Sequence, residues 1–449
     1  MCVQPCSACQ STGKDQFLTQ IAAESPVDRQ DADALEFLRA LIAAQPAGEG
    51  AVQELVRARL ERSGCTVEAR PYDPAAVRLV GEFAAESAQA KGERVNVIAR
   101  LPGDPTRRSM LMFAHPDSEP VPAESGWTLD PFAGVERNGR LYGWGVADDL
   151  AGVASGVLAI ERAAKAGGAL GEVILVSAPS KRHARGVAAA LHDGVGADAS
   201  LYLHPAESGA GLGEIKAFAS GQLEFRITVP GRLPPTNEPG HTAFAHLAVN
   251  PLDKAVMIVA ALRALDAARG QRVTHAALQA AVGRSTNILV SALDTGGGKL
   301  GRVPREAVLG GAVSFPPGEA PEAVQSEIAA AVAEACAADD WLRENPAQIE
   351  WISGVTGAEC PPEHPFYRCV AVAVAAQTGS QPHVNPMHTS SDIRNPMVQR
   401  GIPTVGLGGL CGDLTHNGRT DEWIDVADYL RTIAAVTGVI RDWCAAPRA

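Results

Sequence analysis

Five consecutive apolar residues, Met110-Leu-Met-Phe-Ala114, run straight into His115-Pro-Asp117. A strand without a polar face must be covered on both sides, which is the condition of a mainly parallel sheet flanked by helices. Open sheets of that kind place their chemistry at the carboxyl ends of the strands, where His115 and Asp117 fall. A histidine that binds a cation through one ring nitrogen needs a partner for the other, and Asp117 is near enough to orient it. A turn histidine beside an aspartate has the same spelling, so the motif by itself leaves both readings open.

The surrounding pattern agrees with such a sheet. Helical stripes are predicted over 31–44 and 51–62, the second closing at Gly64, followed by strands at 66–69 and 95–101. Beyond 110–114 the alternation continues with a helix at 152–164, a buried strand at 173–177, a short helix at 187–191 and a strand at 201–203. Near Gly213 the texture changes. Residues 214–218 and 222–229 are predicted as two antiparallel strands around Ser220-Gly221, the second alternating Leu223, Phe225, Ile227 and Val229. With helices at 252–267 and 321–337 and strands at 286–291 and 307–315, this stretch forms a self-sufficient α+β unit. The α/β pattern resumes with a helix at 365–377, a strand at 404–407 and a helix at 426–445. The expectation is an α/β domain written in two pieces, 31–213 and 354–449, around an inserted α+β domain at 214–353, with residues 1–30 a disordered tail.

A chain of 449 residues exceeds one ordinary core, and its 46% hydrophobic fraction allows each domain an interior. The formal charge of −12 argues against a nucleic-acid or anionic-membrane partner. No apolar run approaches the roughly 20 residues of a membrane helix. Lys14, Asp15, Glu24 and Asp28 stand where a signal peptide needs an apolar core, so the cytoplasm is the expected location. Cys2, Cys6 and Cys9 have a spacing that suits an iron–sulfur cluster, but at the extreme terminus they read as part of the tail; the other cysteines read as free thiols.

Phe113-Ala-His-Pro-Asp117, Leu141-Tyr-Gly-Trp-Gly-Val-Ala-Asp-Asp149 and Gly401-Ile-Pro-Thr-Val-Gly-Leu-Gly408, with His416 and Glu422 beyond, follow one another in a known order. The chain resembles the metallohydrolases that include aminoacylases, acetylornithine deacetylases, succinyl-diaminopimelate desuccinylases and glutamate carboxypeptidases. The likeness runs from about Asp31 over nearly the whole chain. It implies a phosphorylase/hydrolase-like α/β metallopeptidase domain whose α+β insertion is a lid that dimerises. It also implies His115 as ligand of the first metal, Asp117 as the residue that orients it, and Asp148 as a carboxylate bridging two metals, with Asp149 following across a strained peptide. Taken alone, Asp148 also fits a helix N-cap. Where the family has a carboxylate as third ligand, this chain offers His204, so His115, Asp148 and His204 are the expected ligand set. The same resemblance gives His241 of the lid an oxyanion-stabilising role in the partner subunit's site, and Asn287 a contact to a substrate carboxylate. The arginine often found at the end of the last lid strand is replaced by Ser314-Phe315, and Arg394 fits the part of substitute as well as that of a surface salt-bridge residue. The glycine turn around Gly408 is expected to expose backbone amides near the site.

The main departure lies elsewhere. Members of that family carry adjacent glutamates after the strand preceding the second helix, one a general base and the other a ligand of the second metal. This chain reads Val176-Ser-Ala-Pro-Ser-Lys-Arg-His-Ala-Arg-Gly186, with no acidic residue between Glu172 and Asp193. A second metal keeps at most Asp148 and His416, and Lys181, Arg182 and Arg185 repel it. One divalent metal per subunit, Mn, Zn or Co, is therefore expected. Glu207, His183, Asp149 and His416 are the candidates for the missing base, and His183 and His416 are also candidates to bind substrate. The expected activity is hydrolysis of a C–N bond in a small carboxylate-bearing substrate by a metal-activated water. The scissile group is either an amide, as in an N-acyl amino acid or dipeptide, or an aryl amine leaving as ammonia, as in the nitroanthranilate aminohydrolase branch. The alternative is a catalytically inactive, dimeric small-molecule binding protein.

Overall fold

The strands without a polar face occupy the centre of an eight-stranded mixed sheet. The computed structural model describes residues 26–448 except 85–89, 122–125, 182, 205–208, 239–240, 298, 386–390 and 412–419. From edge to edge the order is Thr66–Tyr72, Arg94–Leu101, Val173–Ser177, Met110–Ala114, Ala199–Leu203, Thr404–Leu407, Glu214–Lys216 and His383–Asn385. The strands Val173–Ser177, Met110–Ala114, Ala199–Leu203 and Thr404–Leu407 run parallel. Ala178, His115, His204 and Gly408 therefore emerge together on one edge. Every residue of these four strands is buried. Helices Ala151–Ala166 and Val426–Ala445 pack on one face, and Gly186–His192 covers the other.

Helix Ala151–Ala166 approaches the sheet unusually closely. A Cβ added at Gly152 would stand 1.8 Å from the Leu203 carbonyl oxygen, so only glycine permits the contact. Asp148-Asp149 precede this helix and His204 follows Leu203, so one close contact sets both halves of the prospective site in register.

A second sheet is antiparallel, in the order Asn287–Asp294, Glu306–Phe315, Gly221–Pro230, Gln348–Val355 and Glu82–Ala84. The inward residues Leu223, Phe225, Ile227 and Val229 meet Ile258 from helix Pro251–Arg272 and Ile328 from helix Pro321–Ala337 in a separate core. Arg269 is fully buried beside that core, paired with Glu319 at 2.7 Å and Glu327 at 2.6 Å.

The structure departs from the sequence reading in three places. The first helix begins at Pro26, inside the stretch expected as a disordered tail; Cys2, Cys6 and Cys9 lie outside the described residues. Residues 214–218 and 222–229 do not form a hairpin. Glu214–Lys216 is buried on both faces and joins the eight-stranded sheet beside His383–Asn385, Phe218–Ala219 pairs with Ala358–Glu359, and the in–out alternation of the second sheet begins only at Gly221. Glu82–Ala84, from the amino-terminal piece, closes the edge of the second sheet. Among the described residues, no helix is long and apolar enough to cross a membrane.

Gly152→Ala is expected to lower stability by about 3 kcal/mol through overpacking. Gly50→Ala, in helix Glu49–Arg62 with nothing within 4 Å, is expected to raise it by up to about 1 kcal/mol. Urea denaturation of the two variants checks the pair; equal effects would show that the approach at Leu203 is not tight.

Candidate metal centre

Glu422 reaches beneath the turn that carries the two aspartates. Its buried carboxylate accepts from the backbone N–H of Gly145 at 3.0 Å, Ala147 at 2.7 Å and Asp148 at 3.4 Å. Burial pushes this carboxyl up to about 7, opposed by the N–H donors and reinforced by the Asp148 charge. The turn Val146–Leu150 leaves helical geometry at Asp148 and Asp149, and the peptide between them is cis.

Asp148 Oδ1 lies 2.6 Å from the Lys181 ammonium and 3.4 Å from His204 Nε2. Asp149 Oδ1 is 3.3 Å from the same nitrogen, and Asp149 Oδ2 accepts from the Tyr202 hydroxyl at 3.2 Å. His115 donates its Nδ1–H to the Ala178 carbonyl at 2.7 Å, which leaves Nε2 as a bare lone-pair nitrogen. That nitrogen stands 3.0 Å from Asp392 Oδ2 and 3.8 Å from Asp149 Oδ2. His115 Nε2 and Asp149 Oδ1 are both buried without a hydrogen bond. A basic nitrogen turned toward carboxylates with no donor for its lone pair, beside a buried carboxylate oxygen that also lacks one, suits a cation between them. A carbonyl holding the far nitrogen of the histidine is the usual support of a metal-binding imidazole. The donor set therefore fits a divalent metal.

His204 is less simple. The fully buried Lys216 ammonium sits on its Nδ1. An ammonium only donates, so with Lys216 charged the imidazole proton lies on Nε2 and faces the aspartates. Ligation through Nε2 requires the proton on Nδ1 and a neutral Lys216. The ligand atoms of Asp148, Asp149 and His204 do gather within 4.8 Å of one another.

The charges are sorted by environment. Burial alone would raise the Asp148 carboxyl, but Lys181 and then His204 hold it well below the ordinary range. Burial, and then the Asp148 charge, push Asp149 well above that range. Asp392 is also buried, yet His115 and Arg394 hold its carboxyl far down. Asp148 and Asp392 are thus ionised at neutral pH.

Two expected roles are corrected by these contacts. Asp117 does not partner His115. Its oxygens accept from Ser180 N–H and Lys181 N–H, each at 2.9 Å, and from Arg94 at 3.0 Å, so it anchors the loop that carries Lys181. Arg394 is not free for a substrate carboxylate, because it is buried between Glu82 and Asp392, the latter at 2.8 Å. His183 lines a cavity of about 450 Å³ together with Lys181, Arg185, Asp392 and Arg394. Gly408 directly follows the strand Thr404–Leu407 and is buried. Asn287 and His241 are exposed on the inserted domain, where His241 Nδ1 accepts from Ala243 N–H at 3.1 Å. Neither bonds to the His115 cluster among the described residues. Glu207 and His416 lie outside those residues.

Sequence reasoning missed Asp392, Lys216 and the Ala178 carbonyl. Lys216 had a signal, a lone lysine inside the apolar run Ile215 to Ala219. Asp392 had a weaker one, two residues before Arg394.

The α/β sheet, the inserted domain and a carboxylate–imidazole cluster at the strand ends define a metal-binding hydrolase that acts on carbon–nitrogen bonds. Residues 111–442 match the model of Peptidase family M20/M25/M40, and the chain belongs to that family. A succinyl-diaminopimelate desuccinylase of Rhodospirillum centenum is 29% identical over 365 residues, 79% of this chain and 86% of the relative. Human carnosine dipeptidase 1 superposes with a TM-score of 0.67 at 14% identity, covering 93% of this chain and 97% of that one. A dinuclear metal-binding M20 peptidase of Bacillus subtilis superposes with a TM-score of 0.60 at 15% identity, covering 93% and 99%. Both structures share the fold.

Glu422→Ala leaves the N–H groups of Gly145, Ala147 and Asp148 without their acceptor. A loss of about 3 kcal/mol in thermal or chemical unfolding is expected, together with weakened metal retention after dialysis. Unchanged retention would show that the turn holds Asp148 without Glu422.

Proposed function

We propose that the protein hydrolyses an amide bond in a small, carboxylate-bearing substrate with one divalent cation, Mn, Zn or Co, per chain. The observation that carries this reading is His115 Nε2, bare, buried and facing Asp392 and Asp149 while Nδ1 is held by Ala178. His115 and Asp149 would hold the cation, with Asp148 through the oxygen that Lys181 does not contact, and His204 joins them only with its proton on Nδ1 and Lys216 neutral. When bound, such a cation lowers the pKa of water and polarises a carbonyl.

The remaining work falls to the chain's own side chains. Asp392, fixed by Arg394 and by the Ser180 hydroxyl at 3.1 Å, stands 3.0 Å from His115 Nε2 and faces the same cation position. Arg185 lines the cavity half-buried, with Nη1 on the Pro74 carbonyl and Nε without a partner, so it replaces Arg394 as the receptor for the substrate carboxylate. His183, on the same wall, carries a proton to the leaving amine in place of the absent glutamate. The reading includes a cytoplasmic homodimer in which His241 and Asn287 serve the partner's site. The outer strand Asn287–Asp294 supports this, since Leu289 is 61% and Leu293 49% exposed on a free sheet edge.

Protein reconstituted with Mn, Zn or Co is to be screened against N-acyl amino acids, dipeptides and nitro-substituted aminobenzoates. Release of an amine with a new carboxylate is the expected outcome; ammonia without a new carboxylate would move the assignment to aryl-amine hydrolysis. His115→Ala is expected to abolish both turnover and metal retention, and Arg185→Ala to raise KM about tenfold or more with kcat nearly unchanged. A wild-type chain that retains no metal and turns over no substrate would overturn the reading.

A further inference from the structure

Lys181 is held in place more firmly than a surface lysine. Its backbone N–H and that of Ser180 are both fixed by Asp117, which is itself tied to Arg94. Its side chain is only 18% exposed and ends 2.6 Å from Asp148 Oδ1. Asp148 is fixed from the other side, because Glu422 accepts from its N–H and from two N–H groups just before it. The ammonium therefore meets a preset carboxylate oxygen.

The centre thus has two unlike halves. On one side His115 Nε2 and Asp149 Oδ1 lack donors. On the other, Asp148 already has a cation at contact distance. The Bacillus subtilis structure that shares this fold is a dinuclear metal-binding peptidase. A metal ion placed against Asp148 Oδ1 here would have to displace the ammonium or lie beside it, and like charges at that separation repel.

We propose that the Lys181 ammonium is the second cation of this centre, occupying at Asp148 the place of a second metal ion. The proposal rests on the metal-dependent reading above. In this role Lys181 neutralises Asp148 permanently and offers its remaining N–H groups to the cavity it lines, where they can receive the oxygen of a polarised substrate carbonyl. The charge does not dissociate on dilution or chelation, unlike a metal ion.

The test is equilibrium dialysis of the full-length protein against Mn²⁺, with elemental analysis and electron paramagnetic resonance of the retained ion. Wild type is expected to hold one Mn²⁺ per chain with the signal of an isolated ion. Lys181→Glu, which exchanges the ammonium for a carboxylate, is expected to hold two with a spin-coupled signal. Lys181→Gln removes the charge with little change of size; it is expected to bind a second Mn²⁺ at least about tenfold more tightly than wild type, and it decides the matter should Lys181→Glu fail to fold. Two Mn²⁺ in wild type would overturn the proposal, as would one in wild type and one in both variants; in the latter case the metal-dependent reading survives. No metal in wild type but metal in a variant would overturn that reading and, with it, the place of Lys181 as a second cation. No metal in any of the three would overturn both.

Discussion

Three carboxylates, Asp148, Asp149 and Asp392, share one strand-end cleft, and the neighbouring structure answers the charge they bring. Burial of an isolated carboxylate is among the most expensive acts a fold can perform, so each needs its own answer. Asp392 has Arg394 and Asp148 has Lys181. Asp149 has the Tyr202 hydroxyl and the His204 edge, with the Lys181 and Lys216 charges further off, yet burial and then the Asp148 charge drive its carboxyl upward. The uncompensated position lies beside His115 Nε2, which has no proton to give. Electrostatics alone therefore marks where a divalent ion belongs.

Holding that arrangement requires chain segments far apart in sequence. Asp148 and Asp149 depend on Glu422, His115 depends on Ala178 and Asp392, and Lys181 depends on Asp117. Parallel strands bring these segments to one edge with little freedom. Gly152 against the Leu203 carbonyl then sets the helix after Asp149 to the strand before His204. The strands Gly221–Pro230, Asn287–Asp294, Glu306–Phe315 and Gln348–Val355 leave this framework intact because they form a separate sheet with a separate core.

The framework was readable in the sequence where burial is two-sided or strictly periodic. Strands 110–114, 173–177 and 404–407 and helices 321–337 and 426–445 fall where the apolar pattern puts them. Glu214–Lys216 was misread because a short buried strand has no alternation to reveal its sheet, and its neighbour His383–Asn385 lies far along the chain. The site was legible as residue types but not as pairings. His115, Asp148 and His204 could be named from their motifs, whereas the carbonyl of Ala178 carries no side-chain signature at all. Lys181 was visible only as a repulsive charge, since its distance to Asp148 depends on a loop that Asp117 fastens. Arg394 had the right charge for a substrate carboxylate, but two acidic neighbours, one from Glu82, consume it.

The loss of the family's paired glutamates and the presence of Lys181 are best understood together. In the resemblance, a second divalent ion comes with a carboxylate ligand of its own, and that pair places a net single positive charge beside the bridging aspartate. An ammonium places the same net charge there by itself. Removing the glutamate without supplying Lys181 would leave either an overcharged metal site or a bare Asp148; supplying Lys181 while keeping the glutamate would draw the ammonium away from Asp148 into a competing ion pair. The absence of acidic residues between Glu172 and Asp193 and the 2.6 Å contact of Lys181 with Asp148 thus form one electrostatic substitution. It preserves the charge at Asp148, and it leaves the proton-transfer role of the missing pair to be filled from elsewhere in the cavity.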